Sequence, residues 1–161
     1  MDIFRKNGAI GALLDEYEKT ILELQNIIQD VSLEELTIIA DKFTKDPECK
    51  SIQTVLSHVI TSGYGYAIII RKHFGEKIDY EDDLIFNSVA EYQDELLKMF
   101  YYNVQLFEDY PNIKPEEYKN EHKILVRWGQ RYDVEQLMEH AIVHVLRHRR
   151  QIEKFLSKIR S

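Results

Sequence analysis

Apolar residues recur at helical spacing in four long stretches of the chain. In the first, about 7–29, Ile10, Leu13, Leu14, Tyr17, Ile21, Leu24 and Ile28 share one face, the stripe that an amphipathic helix turns toward a core. A short helical piece follows over 33–40, opened by Ser32 with Glu35 three residues on, the spacing of a capping box. The connection from Asp41 to Lys50 is polar and carries Pro47. A second long helix is expected from Ser51 to His73 or Phe74, with Ile52, Val55, Leu56, Val59, Tyr66, Ala67 and Ile70 inward and Gly75 placed to close it. Gly63 and Gly65 interrupt that helix, and each costs about 1 kcal/mol relative to Ala. A close helix crossing, room for a ligand and a tolerated weakness all account for them.

Beyond an acidic loop with Asp79, Glu81, Asp82 and Asp83, a third helix opens at Ser88 with Glu91 three residues later. It turns Val89, Tyr92, Leu96, Phe100 and Phe107 inward and stops before Pro111. The stretch 111–132 reads as a long, partly ordered crossing. Asp133, with Gln136 at the matching position, caps a last helix that runs to the end of the chain. Four long amphipathic helices with two long connections predict an all-α fold, a four-helix bundle forming one domain over 1–161. The long connections permit neighbours other than those of a simple up-down-up-down order.

Composition narrows the function classes. The 161 residues carry 21 Lys+Arg against 28 Asp+Glu, a net charge of −7, which gives no attraction to phosphate and argues against nucleic acid as a partner. One cysteine, Cys49, excludes an internal disulfide and a cysteine-based zinc site. The opening MDIFRKNGAIGALLDEYEK lacks a basic-then-apolar signal layout, and no apolar run is long enough to span a bilayer. The expectation is a cytoplasmic protein without a membrane partner. No Ser/His/Asp or Cys/His nucleophile arrangement, phosphate-cradling glycine loop or dinucleotide fingerprint is present.

Candidate chemistry sits in the histidines. His140, His144 and His148 follow one another at i, i+4, i+8 in EHAIVHVLRHRRQ. Against the stripe Val134, Leu137, Met138, Ala141, Val145, Ile152, Phe155 and Ile159, a helical wheel places His148 about 40° from the centre, His144 about 80° and His140 about 120°. His148 therefore points inward, His144 borders the core, and His140 leans toward solvent or a groove. Imidazoles one turn apart can present nitrogens to one ion, and the wheel prefers His144 with His148. A third ligand must come from another helix, and His58 in VLSHVITSGYGY is the best candidate, although it lies about 120° off its own stripe. His73 and His122 read as surface residues. Arg147, Arg149 and Arg150 read as a solvated face near a helix C-terminus. Tyr64 and Tyr66 share the helix of His58 and could line a pocket, while Asn103 reads either as a satisfied core amide or as a pocket hydrogen bonder.

Trp128 to Ile152, WGQRYDVEQLMEHAIVHVLRHRRQI, together with VLSHVI around His58, resembles the DinB/YfiT superfamily of small metal-binding four-helix bundles. The match lies in the tryptophan-glycine approach, the capped helix and the histidine run ending in HRxQ, and the order and lengths of the four helices extend it over nearly the whole chain. The resemblance implies a metal triad of His58, His144 and His148; His140, Gln151, Asn103, Tyr64 and Tyr66 are candidates to support those ligands or to line a pocket beside them. Two departures stand out: Arg150 replaces a glycine common in relatives, and Gly63, Tyr64, Gly65 and Tyr66 replace acidic and tryptophan residues often found after the second-helix histidine.

Three neutral ligands leave a divalent ion, zinc or nickel, with its charge uncompensated and a coordination position open. Such an ion activates water or binds a thiol as thiolate. The resemblance therefore implies a thiol S-transferase or a hydrolase acting on a small molecule, with a low-molecular-weight thiol such as bacillithiol as a candidate co-substrate, in a homodimer. The competing expectations are a non-catalytic metal-binding or dimerisation module of the stress response, and structural histidines that bind nothing.

Overall fold

The computed structural model describes residues 4–80 and 82–161; Glu81 of the acidic loop lies outside the described residues. Four long helices account for most of the chain: α1 (Gly8–Ile28), α3 (Ile52–His73), α4 (Val89–Asp109) and α5 (Val134–Ile159). The short α2 (Leu33–Thr37) lies between α1 and α3. Among the described residues no helix is long and apolar enough to cross a membrane.

The helix starts lie where the polar side chains place them. Ser32 and Glu35, Ser51 and Thr54, and Asp133 and Gln136 each form a reciprocal capping box, while Ser88 caps α4 through the backbone N–H of Glu91. Each such cap satisfies otherwise orphaned helix N–H groups and contributes about 1 kcal/mol. At the far end of α3, Gly75 adopts φ +94°. Its N–H bonds to Lys72 O at 3.0 Å and the Glu76 N–H to Arg71 O at 3.1 Å, the paired bonds of a left-handed helix terminus that glycine adopts without a Cβ clash.

The apolar stripes meet in one core. Tyr17, Ile21 and Leu24 of α1, Ile52, Leu56 and Ile70 of α3, Leu96 and Phe100 of α4, and Leu137, Met138 and Ile152 of α5 are all buried there. α1 packs against α4 and α5, and α3 packs against the same two helices. Consecutive elements α1 and α3 therefore lie across a diagonal, as do α4 and α5, which is why both connections are long. α3 and α5 are direct neighbours, and that places His58 opposite the histidines of α5.

The crossing after α4 holds more order than the sequence pattern signals. A single 3-10 turn, Asn120–His122, precedes an antiparallel pair, β1 (Ile124–Leu125) and β2 (Arg131–Tyr132), in which Ile124 faces Tyr132 and Leu125 faces Arg131. Strands of two residues are too short to establish an alternating pattern. Gly129, at φ +90°, makes the turn between them, and the hairpin packs on α3 through β1 and on α5 through β2. The preceding loop is tied down at its own end, where the Glu135 N–H donates to Pro115 O at 2.9 Å.

Candidate metal centre

His144 and His148 are buried on α5, and His58 on α3 faces them half-buried. Each of the three offers a ligand atom, and these atoms all lie within 4.8 Å of one another. The Nε2 atoms of His58 and His144 are 3.0 Å apart. Metal–imidazole bonds of about 2.0–2.1 Å require ligand nitrogens about 3 Å apart, so this pair already stands at coordinating separation.

Two partners orient the rings from behind. His58 Nδ1 lies 3.0 Å from Glu48 Oε2, and His148 Nδ1 lies 2.8 Å from Gln151 Oε1. Both oxygens only accept, so each Nδ1 carries a proton and each Nε2 presents a lone pair. The carboxylate–imidazole and amide–imidazole pairs are the outer contacts that fix the tautomer of metal-binding histidines. The lone pair on His58 Nε2 in turn receives the proton of His144 Nε2, which passes to His144 Nδ1 when a cation takes its place.

The unsatisfied atoms point the same way. His148 Nε2 and His144 Nδ1 are buried and have no hydrogen-bond partner among the described residues. A buried polar atom without a partner is costly, about 1–3 kcal/mol, and a cation held by His148 Nε2 removes that cost on one of the two. Burial, followed by the neighbouring imidazoles, pushes the His144 pKa down to about 2. Burial also pushes His148 down to about 4, against an opposing contribution from its bond to Gln151. Both rings are therefore neutral across the physiological range, the form in which imidazole can coordinate. The three histidines and their surroundings fit a divalent transition metal.

Glu48 escapes a reading of the sequence because it lies in a polar connection. Asp46 caps the 3-10 turn Pro47–Cys49 through the Glu48 N–H at 2.9 Å. The turn lies against α3, and the Asp-Pro pair that opens it is the only local signal of its presence. Cys49, the adjacent residue, is not one of the cluster's ligands, and burial raises its thiol pKa.

Beside the histidines opens a cavity of about 600 Å³, bounded by His58, His144, Gly65, Tyr66, Trp128 and His140 among others. Its volume is that of a small-molecule site. His140, the outermost of the three on α5, stacks on Trp128 at 5.1 Å between ring centroids and meets Tyr66 edge-on at 5.4 Å. Tyr66 also contacts the His144 ring at 5.7 Å. The hairpin, α3 and α5 thus build one aromatic wall leading to the cluster.

The remaining candidates lie elsewhere. Asn103 is fully buried between α4 and α3, donating to Gly63 O at 3.1 Å and Met99 O at 3.0 Å. Tyr64 donates to Glu95 Oε1 on α4 at 2.8 Å. The two glycines divide their roles. A Cβ on Gly63 would come within 2.3 Å of Met99 Sδ, so the helices cross closely there, whereas one on Gly65 would meet nothing within 4 Å and face the cavity. Arg149 is more than a solvated charge, because its Nη1 pairs with Glu23 of α1 at 2.6 Å. His73 and His122 are exposed. Comparison with known proteins gives no match to a family model, a curated protein or a solved structure.

Proposed function

We propose that the chain is a metal-dependent enzyme of the DinB/YfiT type. In this reading His58, His144 and His148 hold zinc or nickel, and the protein acts on a small molecule as a thiol S-transferase or hydrolase. The observation that carries it is the convergence of three imidazoles with a buried His148 Nε2 that lacks a partner. When bound, the ion supplies the Lewis acidity that brings water or a thiol to its anionic form near neutral pH.

The chain's own residues do the rest. Glu48 and Gln151 hold two of the rings in the coordinating tautomer. Tyr66, Trp128 and His140 line the approach with aromatic surface, which gives a substrate area to bury and excludes water from part of the site. Tyr66, its hydroxyl pushed up to about 12 chiefly by burial, keeps its proton and serves as a hydrogen-bond donor rather than a base.

The test is metal content by elemental analysis of protein purified without chelator, beside His144→Ala. About one equivalent of zinc or nickel, lost in the variant, is expected, and metal-dependent consumption of a low-molecular-weight thiol or hydrolysis of an ester probe should disappear with it. Absence of metal after zinc and nickel are supplied would overturn the proposal, as would undiminished metal in His144→Ala.

A further inference from the structure

The cavity beside the histidines carries a charge pattern at odds with the rest of the chain. Acidic residues are in excess, 28 against 21 Lys+Arg, and the arginines on the other surfaces mostly use them. Arg5 pairs with Asp15 and Glu18, Arg71 with Glu76 and Asp109, Arg149 with Glu23, and Arg160 with Glu35. Arg127 and Arg147 both line the cavity, and neither forms an ion pair among the described residues. The guanidinium of Arg127 lies instead over the Tyr80 ring at 4.4 Å, a contact that fixes the group while leaving its in-plane N–H donors available.

Arg147 sits on α5 between the two buried histidines of the cluster. Its side chain is exposed to solvent where it borders the cavity. Two carboxylates also line the space. Glu48 is engaged with His58, and Asp83 lies on the exposed rim. The same cavity is lined by Trp128, whose ring stacks on His140, and by Tyr66, which meets both rings edge-on.

We propose that this cavity binds a small organic carboxylate with a planar apolar body. The carboxylate seats on Arg147 with support from Arg127, and the body lies against Trp128 and His140. A guanidinium offers a carboxylate two parallel N–H donors, and the aromatic faces supply apolar area without requiring further polar contacts. This inference rests on the same site as the proposed function and names the class of molecule it takes; the ion and the anion can nevertheless be tested separately.

Trp128 is the only tryptophan in the chain, so its fluorescence reports binding at the cavity wall directly. The probes are benzoate and phenylacetate against their neutral amides, benzamide and phenylacetamide. Each is titrated into chelator-treated protein, so that no carboxylate–metal bond contributes. The expected result is a preference for the acids over the amides of about tenfold, the discrimination of one charge-assisted hydrogen-bonded pair. Arg147→Gln should bring acids and amides to near equality, while Arg147→Lys should retain part of the preference. Equal affinity for acid and amide in the unsubstituted protein, no fluorescence response to any probe, or an undiminished preference in Arg147→Gln would overturn the inference. Zinc content of the same preparations, measured before the chelator treatment, keeps the two readings apart. Anion preference without metal binding would sink the proposed function alone, and metal binding without anion preference would sink this inference alone.

Discussion

Gly63 and Gly65, two residues apart on α3, should respond in opposite directions to the same substitution. Replacing a glycine inside a helix by alanine reduces the entropy of the unfolded chain and favours the folded state by about 0.5–1 kcal/mol where the new methyl fits. At Gly65 it fits, with no atom within 4 Å of the added Cβ, so Gly65→Ala should be about 0.5–1 kcal/mol more stable, a Tm rise of about 1–4 °C. At Gly63 the methyl would lie 2.3 Å from Met99 Sδ and 2.8 Å from both carbons bonded to it. Met99 is fully buried and its sulfur accepts the Tyr17 hydroxyl at 3.4 Å, so it cannot swing away without breaking that contact. Overpacking of this kind costs about 1–3 kcal/mol; less the helix gain of Gly→Ala, Gly63→Ala should come out about 0–2 kcal/mol less stable. Urea unfolding followed by helical circular dichroism, in chelator, measures both. A stability gain shared by the two variants would refute the close crossing of α3 and α4 at Gly63. Because Gly65 borders the cavity, its alanine variant should also bind benzoate more weakly while being the more stable protein.

Two further outcomes follow from the histidine cluster. The metal-free protein should lose stability as pH falls below 6.5. His144 and His148 stay neutral when folded but take up protons when unfolded. Each withheld proton costs about 2 kcal/mol at pH 5, and the loss stops growing only as pH passes below the depressed folded values. A flat denaturation midpoint between pH 7 and 5 would contradict the burial of these rings. Glu48→Gln and Gln151→Ala should each weaken zinc binding about 10–100-fold while leaving the fold intact, as read by competition with a chromophoric chelator. Unchanged affinity in both would remove the orienting role given to these side chains.

The helices were legible because their signals are local. Ser51, Ser88 and Asp133 announce their own helix starts, and the apolar stripe of α5 is regular enough that a wheel orders His148, His144 and His140 by depth as the structure does. The histidine cluster needed a contact between residues 86 positions apart, and His58 stands off its own stripe. It stood out as the best remaining histidine and then by resemblance, not by its stripe, because periodicity reports which face is buried and is silent on which helix lies opposite. Glu48 was invisible for a related reason, since an acidic residue in a polar loop reads as solvated until the capped turn carries it over α3. Arg147 has the same ambiguity as Arg149. Whether a helical arginine meets Glu23 or opens into a cavity depends on the neighbouring element and not on its own segment.

The diagonal placement of consecutive helices has a consequence for how the protein assembles. His58 meets His144 at a separation of 86 positions along the chain, and closing such a loop costs an unfolded polypeptide on the order of 4 kcal/mol in entropy before any contact compensates. The site thus rests on long-range contacts and exists only where α5 has returned to meet α3. His140, Arg147 and both inner histidines ride on α5, and Trp128 sits in the hairpin that packs on its start. Detachment of that one helix would dissolve the cluster and the cavity wall together. Such coupling makes the site an indivisible cooperative unit, one that senses the integrity of the whole fold.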